Sequence, residues 1–265
     1  MELYHFGFST CSQKVRLVLA EKGLDFESHE VNLISGEQHD PKYVKLNPHH
    51  VVPTLVDQGQ VLIESTLIIR YLDDAHPEPP LRPVDALGRY RVERWLKRID
   101  DEVHKAAPLL TFALGPRQAL LAQPEEVRNA NIDAIPDPVA REERHSVVTH
   151  GIAAPEFARA LGVFLDALDA METDLADRPW LSGDAPGLAD ATALPYVLRL
   201  EHLAMDPLIS ARPRLSDWLE RWKKRATYTK AVDNWAPAAA IKLMRSGGAS
   251  EWPGIERIAR DRSGS

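Results

Sequence analysis

Residues 1–76 alternate between strand-like and helix-like hydrophobic periods, and this alternation limits the fold more than any other feature of the sequence. The periods predict the order β-α-β-α-β-β-α, with strands near 3–6, 26–33, 51–56 and 60–63 and helices near 13–22, 41–46 and 66–75. Such an order predicts a small α/β layer in which helices pack on a mixed sheet. Only helical periods follow, so we expect an α/β domain joined to an all-α domain.

A proline-rich run separates the two parts. Residues 77–85 cannot continue a helix, and they predict a short, stiff linker. We therefore predict domains at 1–76 and 86–235 with a C-terminal extension at 236–265. Helices are expected near 86–114, 157–176, 188–204 and 215–224, whereas 115–155 is expected to be a long loop holding one helix near 141–150.

Composition narrows the classes of function. The chain has 265 residues and a net charge of −7, which offers no electrostatic reason to bind nucleic acid or an anionic membrane. Its longest mostly apolar stretch, 106–114, is too short to span a bilayer, and the charged N-terminal residues do not resemble a signal peptide. A single cysteine excludes an internal disulfide, so we expect the cytoplasm. The histidines lack metal-ligand spacing, so no metal is expected.

The segment LYHFGFSTCSQKVR, residues 3–16, gathers three hydroxyls and the only thiol between the first strand and the first helix. Thr10 followed by Gln13 predicts a capping box, which would put Cys11 at the first helical position. Unpaired amides and the helix dipole make such a helix start suitable for an anion. Ser9, Cys11 and Ser12 are therefore the candidate catalytic residues, although each hydroxyl is also a plausible plain cap and Cys11 a plausible small core residue.

A second segment, VVPTLVDQGQVLIES, spans residues 51–65 and predicts two antiparallel strands around a turn. Pro53 opens an otherwise Val- and Leu-rich strand, which is tolerated at an edge or beside a cis peptide bond. Glu64 and Ser65 precede the next helical pattern and predict its cap, ahead of a helix that begins at Thr66.

These features together resemble the glutathione transferase superfamily over residues 2–235. The residues STCS followed by VRL are similar to the signature of the zeta class, whose relatives include maleylacetoacetate isomerase and a tetrachlorohydroquinone dehalogenase. The stretches EQHDPKYVKLNP, ESTLIIRYLDD and IPDPVAREERHSVVTHG resemble bacterial glutathione-dependent β-aryl etherases. The family usually has a Ser-x-x-Asp box in its helical domain, and this chain has Gly187 in place of the serine.

The resemblance implies a thioredoxin-like first domain, a helical-bundle second domain, glutathione as cosubstrate and a homodimer. It implies that Ser9 stabilises the glutathione thiolate, that the etherase pattern favours Ser12, and that Cys11 attacks a glutathione adduct as in the dehalogenase. Implied glutathione-binding residues are Gln38, His39, Val52, Pro53, Glu64 and Ser65. Implied walls of the electrophile pocket are Phe8, His104, Pro108, Thr111 and Phe112.

The resemblance leaves the reaction open. We expect a thiolate attack on electrophilic, aromatic small molecules, with conjugation, aryl-ether cleavage and dehalogenation differing in the leaving group. The alternatives are a zeta-type maleylacetoacetate isomerase and a non-catalytic relative that kept the fold for binding.

Overall fold

The computed structural model describes residues 1–263 and separates into two compact units. The first unit comprises Met1–Lys97, Leu175–Pro195 and Asp217–Pro237. The second comprises Arg98–Asp174, Tyr196–Ser216 and the residues from Ala238 onward. These units are defined by packing and are assembled from separate stretches of the chain. The domain boundaries at 76, 85 and 235 remain predictions from the sequence.

The first unit contains the mixed sheet that the periods predict. Its strands are β1 Glu2–His5, β2 Glu27–Glu30, β3 Thr54–Asp57 and β4 Gln60–Leu62, in the spatial order β2-β1-β3-β4. β1 is parallel to β2 and antiparallel to β3, and β3 is antiparallel to β4. This arrangement confirms the predicted thioredoxin-like α/β layer.

Three helices complete that layer, α1 Thr10–Glu21, α2 Pro41–Val44 and α3 Ser65–Ala75. α1 packs against α3, because both carry apolar residues at helical spacing. The residues that this packing removes from water are Val15, Val18, Leu19, Ile68, Ile69 and Leu72. The element order is as predicted, and α1 begins one residue before Cys11, the predicted first helical position, and three residues before the hydrophobic period at 13–22.

The predicted helix at 86–114 is helical throughout but not uniform. α4 Ala86–Arg98 continues through a wider turn of π-helix at Ile99–Val103 into α5 His104–Leu114. Pro108 lies inside α5, where proline removes one backbone hydrogen bond of the helix.

The expectation of a long loop at 115–155 is wrong, whereas the helix expected within it near 141–150 is confirmed. The segment forms α6 Arg117–Leu121, α7 Glu125–Asp133 and α8 Pro138–His150. Pro138 occupies the first turn of α8, where its missing N–H costs nothing, and Asp137 caps that helix by accepting from Val139 N and Ala140 N. Prolines that suggested a loop therefore begin helices instead.

The remaining helices are α9 Pro155–Asp174, α10 Leu188–His202, α11 Asp206–Ser210, α12 Pro213–Lys223, α13 Ala226–Ala231 and α14 Ala238–Ser263. α14 occupies the extension whose order the sequence left open. Gly248 in α14 is a packing residue, because a β-carbon there would overlap the carbonyl oxygen of Leu203. None of the helices described over residues 1–263 combines the length and the apolar character that crossing a bilayer requires.

Candidate functional site

The sheet register brings four candidate segments to one end of the first unit. Tyr4 pairs with Thr54, His5 pairs with Glu30, and Leu55 pairs with Leu62. Because of these pairings, the chain after β1, after β2, before β3 and after β4 emerges at the same end of the sheet. The predicted catalytic and glutathione-binding residues of this unit lie on these four segments.

The start of α1 is capped by Ser9, not by Thr10. Ser9 has extended backbone angles, and its Oγ accepts a hydrogen bond from Ser12 N at 3.3 Å. Thr10 is already helical, so the predicted capping box between Thr10 and Gln13 is wrong. Cys11 therefore lies one position further into the first turn, where it is partly exposed. The Ser9 hydroxyl uses an oxygen lone pair for the cap and keeps its proton for another acceptor.

Ser12 has a structural contact that the sequence did not indicate. Its side chain is fully buried, and its Oγ accepts from Phe6 N at 3.3 Å. The hydroxyl thus holds the chain between β1 and α1.

Arg16 is the main support of the same turn, and sequence reasoning missed its role. Its Nη2 donates to Gly7 O at 2.7 Å and its Nε donates to Ala231 O at 2.8 Å. Its guanidinium also lies 5.3 Å from the centre of the Trp235 ring. Burial lowers the pKa of Arg16 to about 9, so the side chain remains cationic at neutral pH. The available signal was a charged residue beside Val15 on a helix whose neighbouring positions are apolar.

Gly7 is needed because the chain approaches it closely. A β-carbon at this position would lie 2.6 Å from the carbonyl oxygen of Trp235. Hydrogen bonds from Arg16 to Gly7 O and from Phe6 N to Ser12 Oγ therefore stabilise the turn that carries Ser9 and Cys11. The close approach of Trp235 O restricts position 7 of that turn to glycine.

Val52 precedes a cis peptide bond to Pro53 at the entry to β3. The neighbouring carbonyl of Val51 accepts from Tyr43 Oη at 2.5 Å and from Asn47 Nδ2 at 2.9 Å. Within residues 1–263, no hydrogen bond uses the backbone N–H or C=O of Val52. An extended peptide could therefore pair with Val52 as an added strand does.

α3 begins at Ser65, one residue before the predicted start, and Glu64 takes the cap position without a side-chain cap bond. Glu64 has a φ of 68°, a left-handed conformation that is costly for a non-glycine residue and is found at functional sites. Lys14 donates from Nζ to Thr66 Oγ1 at 2.9 Å, which places a buried cation beside the first turn of this helix. The α3 start thus combines unpaired amides with a nearby positive charge.

Gln38 and His39 lie in a short turn after β2. Gln38 Nε2 lies 3.1 Å from His39 Nε2, and His39 Nδ1 lies 3.1 Å from Nδ1 of His50, a residue that the sequence did not single out. Within the described chain, Gln38 Oε1 is buried and has no hydrogen-bond partner. A buried acceptor in this condition favours binding of a ligand that brings a donor.

The second unit holds the other candidate residues on one face of α5. His104, Pro108, Thr111 and Phe112 follow helical spacing, and the last three are half-buried. His104 Nδ1 lies 2.9 Å from Tyr196 Oη, and Thr111 Oγ1 donates to Ala107 O at 2.7 Å. The remaining candidate, Phe8, belongs to the first unit and is half-buried.

Two family profiles match the chain. The profile described as the glutathione S-transferase N-terminal domain matches residues 3–80, and the profile of the C-terminal domain matches residues 154–221.

Individual relatives cover most of the chain. Maleylacetoacetate isomerase of Pseudomonas aeruginosa is 32% identical over 81% of this chain and 87% of its own length. Tetrachloro-p-hydroquinone reductive dehalogenase of Sphingobium chlorophenolicum is 28% identical over 89% of this chain and 97% of its own length. Among solved structures, the β-etherase LigF from Sphingobium sp. strain SYK-6 superposes with a TM-score of 0.78 and 26% identity, covering 88% of this chain and 98% of that one.

Proposed function

The chain belongs to the glutathione S-transferase family, and we propose that it directs the thiolate of glutathione at electrophilic, aromatic small molecules. The family uses glutathione as its cosubstrate. Relatives carry the names of an isomerase, a reductive dehalogenase and a β-etherase, which differ in the fate of the electrophile. The observation that carries the proposal is the Ser9 hydroxyl at the start of α1, with its proton available to a thiolate.

The residues present fit glutathione at three places. Val52 offers an unpaired peptide N–H and C=O to the cysteinyl part, next to Pro53. The start of α3 at Glu64 and Ser65 suits the charged γ-glutamyl end. The buried, unpaired Oε1 of Gln38, beside His39, suits the N–H of the glycyl amide as its donor. Bound glutathione supplies the nucleophilic thiol.

A hydrogen bond from Ser9 and the start of α1 can together lower the pKa of the glutathione thiol. A free thiol has a pKa of about 8.5, and lowering it by ~2 units requires about 2.7 kcal/mol. One hydroxyl donor contributes roughly 0.5–3 kcal/mol and a helix start about 0.3–2 kcal/mol. Ser9 and the amide end of α1 together therefore contribute roughly 0.8–5 kcal/mol, a range that includes the required free energy.

The three candidates at this corner take different roles in the proposal. Ser9 donates to the thiolate, whereas Ser12 positions the turn through Phe6 N. Cys11 serves only a dehalogenation-type reaction. In that step its thiolate attacks the sulfur of a glutathione adduct, an S–S bond forms, and the carbon leaves with the electron pair and takes a proton.

The test replaces the hydroxyl without removing the helix start. Ser9→Gly keeps an acceptable N-cap but has no donor, so the pKa of the bound glutathione thiol should rise by about 1–2 units. The measurement is an ultraviolet titration of the thiolate band, with kcat/KM at neutral pH expected to fall about 10- to 100-fold. Thr10→Ala is the matched control and should change neither value. An unchanged titration in Ser9→Gly would refute the assignment.

Cys11→Ser separates the possible reactions. Loss of turnover with a haloaromatic, while conjugation continues, would support the covalent role of Cys11. Full activity of this variant in both dehalogenation and conjugation would exclude that role and leave displacement by the glutathione thiolate alone.

A second candidate function is zeta-type isomerisation, favoured by the identity with maleylacetoacetate isomerase over most of its length. Turnover of maleylacetoacetate would establish it. Retention on glutathione-agarose without turnover of any electrophile would instead favour a binding protein.

The proposal includes a cytoplasmic homodimer. α3 and α4 expose large apolar side chains in the first unit, with Leu67 57% exposed, Leu87 57% and Tyr90 63%. Arg70 of α3 forms an ion pair with Glu93 of α4 and ties these two helices together. A second copy of the chain would remove this apolar surface from water.

A further inference from the structure

Four charged or polar side chains of α8 have partners within the second unit. Arg141 Nε donates to Ile135 O at 3.0 Å, and Glu143 forms an ion pair with Arg159. His145 Nε2 lies 2.9 Å from Asp133 Oδ1, and Ser146 Oγ donates to Glu156 at 2.6 Å. These contacts fix α8 against its neighbours.

Arg144, in the middle of the same helix, is half-buried and lacks such a partner among the described residues. Within residues 1–263 its guanidinium forms no ion pair or hydrogen bond, and its Nε is buried without a partner. The chain before it offers Glu142, but that side chain is exposed and makes no ion pair with Arg144 in the described structure. Burial lowers the pKa of Arg144 to about 10, so the side chain stays cationic at neutral pH. A half-buried cation without a counter-ion is costly to keep.

The guanidinium lies over the face of an aromatic ring. The Cζ atom of Arg144 is 3.4 Å from the centre of the Phe112 ring. Stacking of this kind holds the planar group in one orientation and leaves its edge, with the N–H donors, for another ligand. The edge of a guanidinium matches the two oxygens of a carboxylate.

Phe112 belongs to the face of α5 that holds the candidate electrophile-binding residues, so Arg144 lies at that face. It shares one side of α5 with Pro108 and Thr111, all three half-buried. That side of α5 therefore combines apolar and aromatic surface with one fixed positive charge.

From this juxtaposition we propose that Arg144 is a specificity-determining residue that binds the anionic group of an aromatic electrophile, a carboxylate or a phenolate. The inference rests on the proposed function, because it names the substrate class of that reaction. The counter-ion missing from the protein is supplied by the substrate, whose ring packs on the apolar face of α5.

The first test measures binding without chemistry. Dinitrobenzoate and its neutral counterpart dinitrobenzamide lack a leaving group, and their affinities are measured by calorimetry on the full chain with glutathione present. The wild type should bind the benzoate about tenfold or more tightly than the amide, and Arg144→Gln should lose that preference while its affinity for the amide stays within about twofold. Arg257→Gln, which removes an exposed arginine of α14, controls for net charge and should behave as wild type.

Equal affinity of the wild type for the two compounds would overturn the inference, and this outcome does not depend on whether Arg144→Gln folds. Equal preference in wild type and a folded Arg144→Gln would overturn it as well. Arg144→Lys should give an intermediate preference, because lysine keeps the charge but not the planar edge.

The second test measures turnover and separates the inference from the proposed function. The substrates are chlorodinitrobenzoate and chlorodinitrobenzamide, and the expected result is a ratio of kcat/KM that falls about tenfold in Arg144→Gln. Turnover of both with no charge preference would refute the role of Arg144 and leave the transferase function intact. No turnover of either would refute the transferase function, and the binding test would still decide the role of Arg144.

Discussion

His5 is a buried imidazole whose two nitrogens are both engaged. Arg16 is always a donor, so its Nη1 donates to Nδ1 of His5 at 3.0 Å, and the ring proton on Nε2 donates to Ser28 Oγ at 2.8 Å. Burial first, and the charge of Arg16 second, lower the pKa of His5 to about 3. The imidazole therefore stays neutral in the folded protein between about pH 3 and 6.5, a range in which His5 of the unfolded chain is protonated.

This lowered pKa predicts a specific loss of stability in acid. Between pH 3 and the ordinary value of 6.5 the unfolded state binds more protons at His5, so stability rises with pH and falls as the solution is acidified. In the middle of this window one such histidine contributes about 1.4 kcal/mol per pH unit to the free energy of unfolding. Urea unfolding of His5→Gln at several pH values in the window should show a slope smaller by about that amount. His202, whose pKa burial also lowers to about 3, should keep its own contribution to the slope in this variant.

His49→Gln, which replaces an exposed histidine, is the control for the substitution itself. An identical slope in His5→Gln and wild type would show that His5 is not kept neutral by folding.

At the scale of residues, the sequence predicted where the candidate residues lie along the fold better than it predicted the side chains that hold them in place. Ser9 and Cys11 could be found because a strand, a glycine and a helix start are local patterns. The cap was misplaced by one residue, since both Ser9 and Thr10 carry a hydroxyl that can cap. Arg16 could not be assigned, because its acceptor Ala231 is 215 positions away along the chain.

The start of α10 shows how an element can keep a cap after losing the usual residue. Asp190 accepts from Gly187 N at 3.1 Å, as the Ser-x-x-Asp pattern requires. The missing hydroxyl is replaced from outside the motif, because Ser182 Oγ accepts from Ala189 N at 3.1 Å. A β-carbon on Gly187 would overlap Leu81 O and approach Ser182, so glycine is required there.

Restoring the serine of the usual motif should therefore destabilise the folded protein. Gly187→Ser offers a cap worth a few tenths of a kcal/mol over glycine but forces the Leu81 carbonyl aside, for a net loss of about 1–3 kcal/mol in the free energy of unfolding. Urea or thermal unfolding measures it. Ser182→Ala is the companion variant and should lose about 0.5–2 kcal/mol through the cap alone. A Gly187→Ser protein more stable than wild type would contradict the packing at this helix start.

At the scale of elements, local periodicity predicted the order of the first domain and the long helices. It failed at 115–155, where Pro138 is equally compatible with a loop and with the first turn of a helix. The contacts that decide between these states join residues far apart within the segment. Arg117, for example, donates to Val148 O and stabilises the last turn of α8.

At the scale of the whole molecule, the exposed apolar face of α3 and α4 predicts self-association. The wild type should sediment at twice the mass of the chain, and Leu67→Glu should shift it toward the monomer by placing a charge in the interface. Analytical ultracentrifugation over a concentration series measures both. Val139→Glu is the matched control, since Val139 is 62% exposed but lies on α8. A monomeric wild type would refute the homodimer.

The whole molecule was also harder to predict from the sequence than its elements. The first unit draws on three separate stretches of chain, and a period of hydrophobic residues carries no information about which distant stretch it will meet. The ion pair between Arg225 and Glu21 illustrates this, because neither residue belongs to a recognisable local pattern.

The way Arg16 holds the β1–α1 turn has a consequence for protein engineering. Its guanidinium donates hydrogen bonds to the backbone carbonyl oxygens of Phe6, Gly7 and Ala231, and every amino acid has such an oxygen. Substitutions at half-buried position 6 should therefore retain the geometry of this turn, whereas positions 7 and 16 admit no such freedom. A designer could recruit new chemistry at this corner by varying the side chains around it while its backbone stays in place.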